Sequence, residues 1–152
     1  MRELIREKVK ESNSLNEIRD AVLQVFREAK ENGFTRIGYV SGVITSEGPD
    51  KIAQNIQRLE KFTDHIRDQH DFPIFSATNV FDDTLFERIN AHEIPQSEWW
   101  RFWQEVLGDQ ENYVTDIFMT PKWEISSGAR DEHQTAQKIG MNIVYIDQEI
   151  EQ

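Results

Sequence analysis

Four short runs rich in β-branched and aromatic residues, at 35–42, 72–77, 113–120 and 142–146, alternate with stretches whose apolar residues recur at helical spacing. Strands joined through helices pair in parallel, because a parallel pair needs a crossover of about a dozen residues or more. The spacing therefore predicts an α/β fold: a three-layer, flavodoxin- or Rossmann-like, mostly parallel sheet of four to five strands with an added N-terminal helix. In such a sheet ligands sit at the carboxyl ends of the strands.

The helical stretches carry their own start and stop signals. Leu15, Ile18, Val22, Leu23, Val25, Phe26 and Ala29 share a face, with Ser14 as cap and Asn32-Gly33 as stop. The dozen residues before Ser14 extend that helix or fray. Their mixed Arg, Lys and Glu residues read as a solvated face that packs or dimerises, not as a polybasic arm. Pro49 and Asp50 open a long helix through Ile52, Ile56, Leu59, Phe62 and Ile66 to about Gln69. The stretch 79–97 reads as a loop carrying a short helix around 84–89, capped by Asp82 or Asp83. Pro95 and Ser97 then start a helix over SEWWRFWQEVL, and 129–139 forms a last helix stopped by Gly140. The 152 residues suit one compact unit, with a helical extension at 1–34, an α/β domain at 35–152 and a short acidic tail, IDQEIEQ.

Composition narrows the partners. With 28 acidic against 17 basic residues the net charge is −11, which opposes broad attraction to nucleic acid or anionic lipid. The absence of cysteine excludes disulfides, thiolate metal sites, Fe–S clusters and thiol nucleophiles, and points to a cytoplasmic location. Neither a signal-peptide h-region nor an apolar run of about 18 residues occurs, so no membrane span is expected. His65, His70, His92 and His133 fall in no metal-ligand spacing, and no metal is expected.

Two loops fall at carboxyl ends of predicted strands, 41–48 and 121–128. The first lacks both the P-loop and the dinucleotide fingerprint; its Gly42 and Gly48 either admit a ligand close to the backbone or simply serve a turn. No G-x-S-x-G elbow supports a serine hydrolase. In the second loop Ser126 or Ser127 can cap a helix, with Asp131 and Glu132 in its first turn, where the macrodipole favours negative charge. Glu132 then reads either as a dipole-stabilised surface carboxylate or as a catalytic group. Ser126, Ser127 and Arg130 at the same helix start can receive an anion.

Two blocks carry a resemblance. Y-V-S-G (Tyr39 to Gly42) together with T-D-I-F-M-T-P-K-W-E-I-S-S-G-A-R-D-E-H-Q-T-A-Q-K-I-G-M-N-I-V-Y (Thr115 to Tyr145) resembles the nucleoside 2-deoxyribosyltransferase superfamily. It is most like a small bacterial and phage-borne branch with the W-E-x-S-x-G-A-x-x-E form, and spans roughly Arg36 to Ile146. The resemblance implies retaining glycosyl transfer at C1′ of a nucleoside or nucleotide, of deoxyribosyltransferase or N-glycosidase type. It implies Glu132 as nucleophile, kept ionised by the helix N-terminus, with Tyr39 orienting it. Ser41, Gly42, Ser126, Ser127, Gly128 and Arg130 are the implied substrate-binding residues, and Asp116, the aspartate of the strand motif, is grouped with them although it is more structural in relatives. The family's acid/base aspartate finds its nearest candidate in Asp109, with Glu105 and Glu111 behind it. Val43-Ile44-Thr45 stands where nucleotide-hydrolysing relatives place Ser and Arg for a 5′-phosphate.

No cofactor is implied, since carboxylates suffice for this chemistry. The implied partners are a small-molecule nucleoside or nucleotide and further copies of the chain, as a homodimer or higher oligomer. Trp99, Trp100, Phe102, Trp103, Val106 and Leu107 read as core plus subunit interface, or as a base-stacking wall. The alternative function is a non-catalytic nucleoside- or nucleotide-binding sensor or interaction module of the same fold. A second carboxylate facing Glu132 favours turnover, and its absence favours binding.

Overall fold

The computed structural model describes residues 1–44 and 47–147. Thr45 of the first loop and the tail from residue 148 onward lie outside the described residues. The element order is α1 (Arg2–Val9), α2 (Leu15–Glu31), β1 (Gly38–Ser41), a 3-10 turn (Pro49–Lys51) leading into α3 (Ile52–Asp68), β2 (Ile74–Ser76), α4 (Ala77–Val80), α5 (Asp83–Arg88), α6 (Gln96–Leu107), β3 (Asp116–Met119), α7 (Ser127–Ile139) and β4 (Asn142–Tyr145).

All four strands are parallel, in the order β2-β1-β3-β4. This is the flavodoxin-type order, in which the chain reverses direction across the sheet between β1 and β3, so a crevice opens outside their carboxyl ends. Gly38 pairs with Ile74 on one side and Asp116 on the other, and Asp116 pairs with Asn142. The ladders are shorter than the apolar runs. Ile37, for example, lies before β1, where its carbonyl accepts from Thr115 and Asp116 N–H as the sheet begins.

Strand alternation sorts the core into two. Val40, Ile74 and Phe118 pack with Leu59, Phe62 and Ile66 of α3. Tyr39, Phe75, Ile117 and Met119 pack on the other face with α1, α2, α6 and α7. The result is a three-layer α/β sandwich.

Most helix boundaries follow the sequence signals. Ser14 caps α2 by accepting from Glu17 N–H, Asp82 caps α5 by accepting from Leu85 N–H at 2.8 Å, and Gly140 ends α7 with φ +79°. The first dozen residues differ from expectation, because α1 is a separate helix that neither extends α2 nor frays. Ile5 and Val9 are buried in the same core as Tyr39, and the Arg6 guanidinium donates to the Thr78 carbonyl beyond β2 at 3.2 Å. Among the described residues no helix is long and apolar enough to cross a membrane.

Candidate functional site

Tyr39 and Ser41 stand two residues apart on β1, so their side chains leave the same face of the sheet. That face is covered by α7, and the side chain it presents there is Glu132. The Tyr39 hydroxyl donates to Glu132 Oε2 at 3.1 Å and the Ser41 hydroxyl donates to Oε1 at 2.7 Å. Each carboxylate oxygen thus has its own donor, in a setting where all three residues are buried.

Burial dominates the electrostatics of the carboxylate. It raises the Glu132 pKa from 4.5 to about 7, against the pull of the Ser41 and Tyr39 hydrogen bonds and with a small push from the charge of Asp131. The Tyr39 phenol is driven well above its ordinary value by burial and by the neighbouring carboxylate, so it remains a donor.

The expectation that a helix N-terminus keeps Glu132 ionised is not met. Ser126 is the N-cap and α7 begins at Ser127, so Asp131 and Glu132 lie in the second turn and no acidic residue occupies the first. The dipole effect fades within the first turn, which leaves desolvation in control.

Several backbone features hold this arrangement. Thr120, just past β3, donates through both its N–H and its hydroxyl to the Ser41 carbonyl, at 3.0 and 2.8 Å. The two strands come so close there that a Cβ on Gly42 would strike Thr120 Oγ1. Gly42 is thus required by close approach. Trp103 of α6 packs its ring on Tyr39 with centroids 5.2 Å apart and fixes the phenol from above.

The remaining expected site residues separate into two groups. At the start of α7, the N-cap Ser126 accepts from Ala129 N–H at 3.1 Å and Ser127, the first helical residue, accepts from the Gln96 side chain at 2.9 Å. Gly128 follows them without a close neighbour, and Arg130 is exposed.

Asp116 sits at the opposite end of the sheet. It is ion-paired with Arg36 at 2.7 Å and accepts from Asn142 and Thr115. Burial opposes its ionisation, but the bonds from Arg36, Asn142 and Thr115 prevail and hold its pKa below the ordinary value. Its place at the amino ends of β3 and β4 is that of a structural tie.

Asp109 accepts from Glu111 N–H at 3.1 Å, capping its own turn. It follows Gly108, which faces Thr135, about one turn along α7 from Glu132. Glu105 is ion-paired with Arg19 and Arg101. Among the described residues no second carboxylate is hydrogen-bonded to the Glu132, Tyr39 and Ser41 cluster.

Two roles were not legible from residue types alone. Ser41, expected among the substrate contacts, has its hydroxyl engaged by Glu132, and the signal for this is its two-residue offset from Tyr39. Thr120 carries no sequence signal, because its tie to Ser41 exists only once β1 and β3 are adjacent. His133, next to Glu132 in sequence, turns outward, with its ring 4.3 Å from Trp123 and its Nε2 hydrogen-bonded to the Tyr145 hydroxyl at 2.7 Å. No group of His, Asp or Glu suited to hold a metal ion occurs among the described residues.

No curated protein and no solved structure matches this chain. Residues 72–145, from just before β2 to the end of β4, match a family model described as a domain of unknown function (DUF4406).

Proposed function

We propose that this protein transfers or hydrolyses the N-glycosidic bond of a nucleoside or nucleotide, with Glu132 as the nucleophile at C1′. The observation that carries the reading is the buried Glu132 carboxylate, held oxygen by oxygen by Tyr39 and Ser41 beside the carboxyl end of β1. It is supported by the likeness of Tyr39 to Gly42 and of Thr115 to Tyr145 to the nucleoside 2-deoxyribosyltransferase superfamily, in which a glutamate and a strand-end tyrosine have these places.

In the proposed step an ionised Glu132 oxygen forms a bond to C1′ as an oxocarbenium-like centre develops. The C1′–N bond breaks, its electron pair leaves with the base, and the base takes a proton from water. Water or a second base then attacks C1′ and frees the carboxylate. The two hydroxyls hold the nucleophile in one orientation, and in the ionised form their bonds become charge-assisted and stronger. With its pKa raised to about 7 by burial, the carboxylate titrates close to neutral pH, where the nucleophilic form is within reach.

A second reading, a non-catalytic nucleoside- or nucleotide-binding module, is favoured by one observation. Asp109 caps its own turn, and no described carboxylate shares the cluster with Glu132.

A chromatographic screen of the purified chain against the common ribo- and deoxyribonucleosides and their 5′-monophosphates, with and without an acceptor base, separates the two. Base released by the wild type and absent with Glu132→Gln supports glycosyl chemistry. No release from any compound by folded protein, with ligand-dependent thermal shifts on the same panel, supports the binding module.

A further inference from the structure

On the face of the sheet away from Glu132, a groove of about 590 Å³ runs along α3 beneath the β3–α7 loop. Its walls carry Lys51 from the turn that leads into α3, Arg58 and Lys61 from α3, and Lys122 from the loop, against one acidic residue, Glu47, among the described residues. In a chain of net charge −11 this concentration of cations is the reverse of the surrounding field. The volume is that of a small-molecule site.

Arg58 forms the floor. Its guanidinium donates to the Pro121 carbonyl at 2.8 Å and packs over the Phe62 ring at 5.0 Å, tying α3 to the loop. Beside it, buried Asn55 donates to the Ile44 carbonyl at 3.2 Å and closes the end nearest β1. Lys51, Lys61 and Lys122 are in no ion pair with a described residue.

The backbone supplies an independent sign. Lys122 has φ +69°, a left-handed conformation that glycine adopts readily and a residue with a Cβ does not. A long cationic side chain is thus held at a position where a glycine would sit with less strain, and such strain gathers at ligand sites.

We propose that this groove binds a small molecule carrying a chain of two or more phosphates. Lys51, just before α3, and Lys61 within it are ten residues apart, about 15 Å along the helix axis, with Arg58 between them and Lys122 opposite. Cations spread over that length suit charge spread along a ligand better than a single phosphate. Nucleic acid is disfavoured because the acidic remainder of the surface would repel a long polyanion.

The site is separate from the Glu132 cluster, so a chain inactive towards every nucleoside could still bind here. Isothermal titration of the 152-residue chain with inorganic tripolyphosphate tests it, with orthophosphate and a single-stranded oligonucleotide as comparisons. Saturable one-to-one binding is expected, weakened about tenfold or more in Lys122→Gly and in a Lys51→Gln, Lys61→Gln double variant. Lys122→Gly relieves the left-handed strain, so its melting temperature is expected to stay the same or rise, and weakened binding in it cannot be blamed on misfolding. Absent saturation, unchanged affinity in both variants, orthophosphate bound as tightly as tripolyphosphate, or the oligonucleotide bound as tightly, would each overturn the proposal.

Discussion

Burial and hydrogen bonding act in opposite directions on Glu132, and burial wins. Its pKa of about 7 in the folded chain stands above the ordinary 4.5, so between these values the folded chain holds a proton that the unfolded chain releases. Stability contributed by the protonated form is complete below about 4.5 and is lost as pH rises through about 7. The gap corresponds to about 3 kcal/mol at most. Glu132→Gln is therefore expected to be more stable than the wild type at pH 8 and to lose the advantage at pH 4, read from urea unfolding at both values. If Glu132 is the nucleophile, kcat/KM for base release rises with pH and levels off above an apparent pKa near 7. Removing the Ser41 hydroxyl takes the shorter of its two bonds from a buried carboxylate. Ser41→Ala should cost about 1–3 kcal/mol and move that apparent pKa upward, which a pH–rate profile would show.

The elements matter because they bring these groups to one point. A period of two puts Tyr39 and Ser41 on one face, and the α7 cap at Ser126 fixes which side of the helix carries Glu132. Ser126→Ala should cost about 1 kcal/mol in denaturant unfolding through the lost bond to Ala129 N–H. Gly42→Ala should be worse, at about 1–3 kcal/mol, since the new methyl group meets Thr120 Oγ1 where β1 and β3 are clamped. The same clamp holds Ser41 in place, so, if Glu132 is the nucleophile, base release is expected to fall with stability in Gly42→Ala. A fully active variant would show that the site tolerates a parted clamp. The capping residues of α2, α5 and α7 and the stop at Gly140 were legible in the sequence, because each acts on backbone within a few residues of itself. The charge of Glu132 was not, since with either serine as cap it falls beyond the first turn of α7, out of reach of the helix dipole, and burial decides it.

For the whole molecule, the N-terminal helix is part of the main core. Ile5 is fully buried with α2 on the side of the sheet that holds Tyr39, and Ile5→Ala should destabilise the chain by about 2–5 kcal/mol, a drop readily seen in thermal unfolding. A solvated, accessory α1 would instead leave the melting temperature unchanged. The strand order places the reversal of chain direction between β1 and β3. The buried Glu132 cluster lies on one face of the sheet, under α7, and the cationic groove of α3 on the other.

Local physics is written in the sequence itself. Alternating apolar runs and helical periodicity determine a parallel α/β sheet, and the caps and stops mark most helix ends. The aromatic segment at 99–107 is largely core, with Phe102, Trp103, Val106 and Leu107 buried. Tertiary structure alone decides which distant groups meet. It ties Ser41 to Glu132, separated by 91 positions, sends Asp116 to the far end of the sheet, and leaves Asp109 capping its own turn. It also sets the charge of Glu132, because desolvation depends on the layers that close over a side chain rather than on its neighbours in sequence.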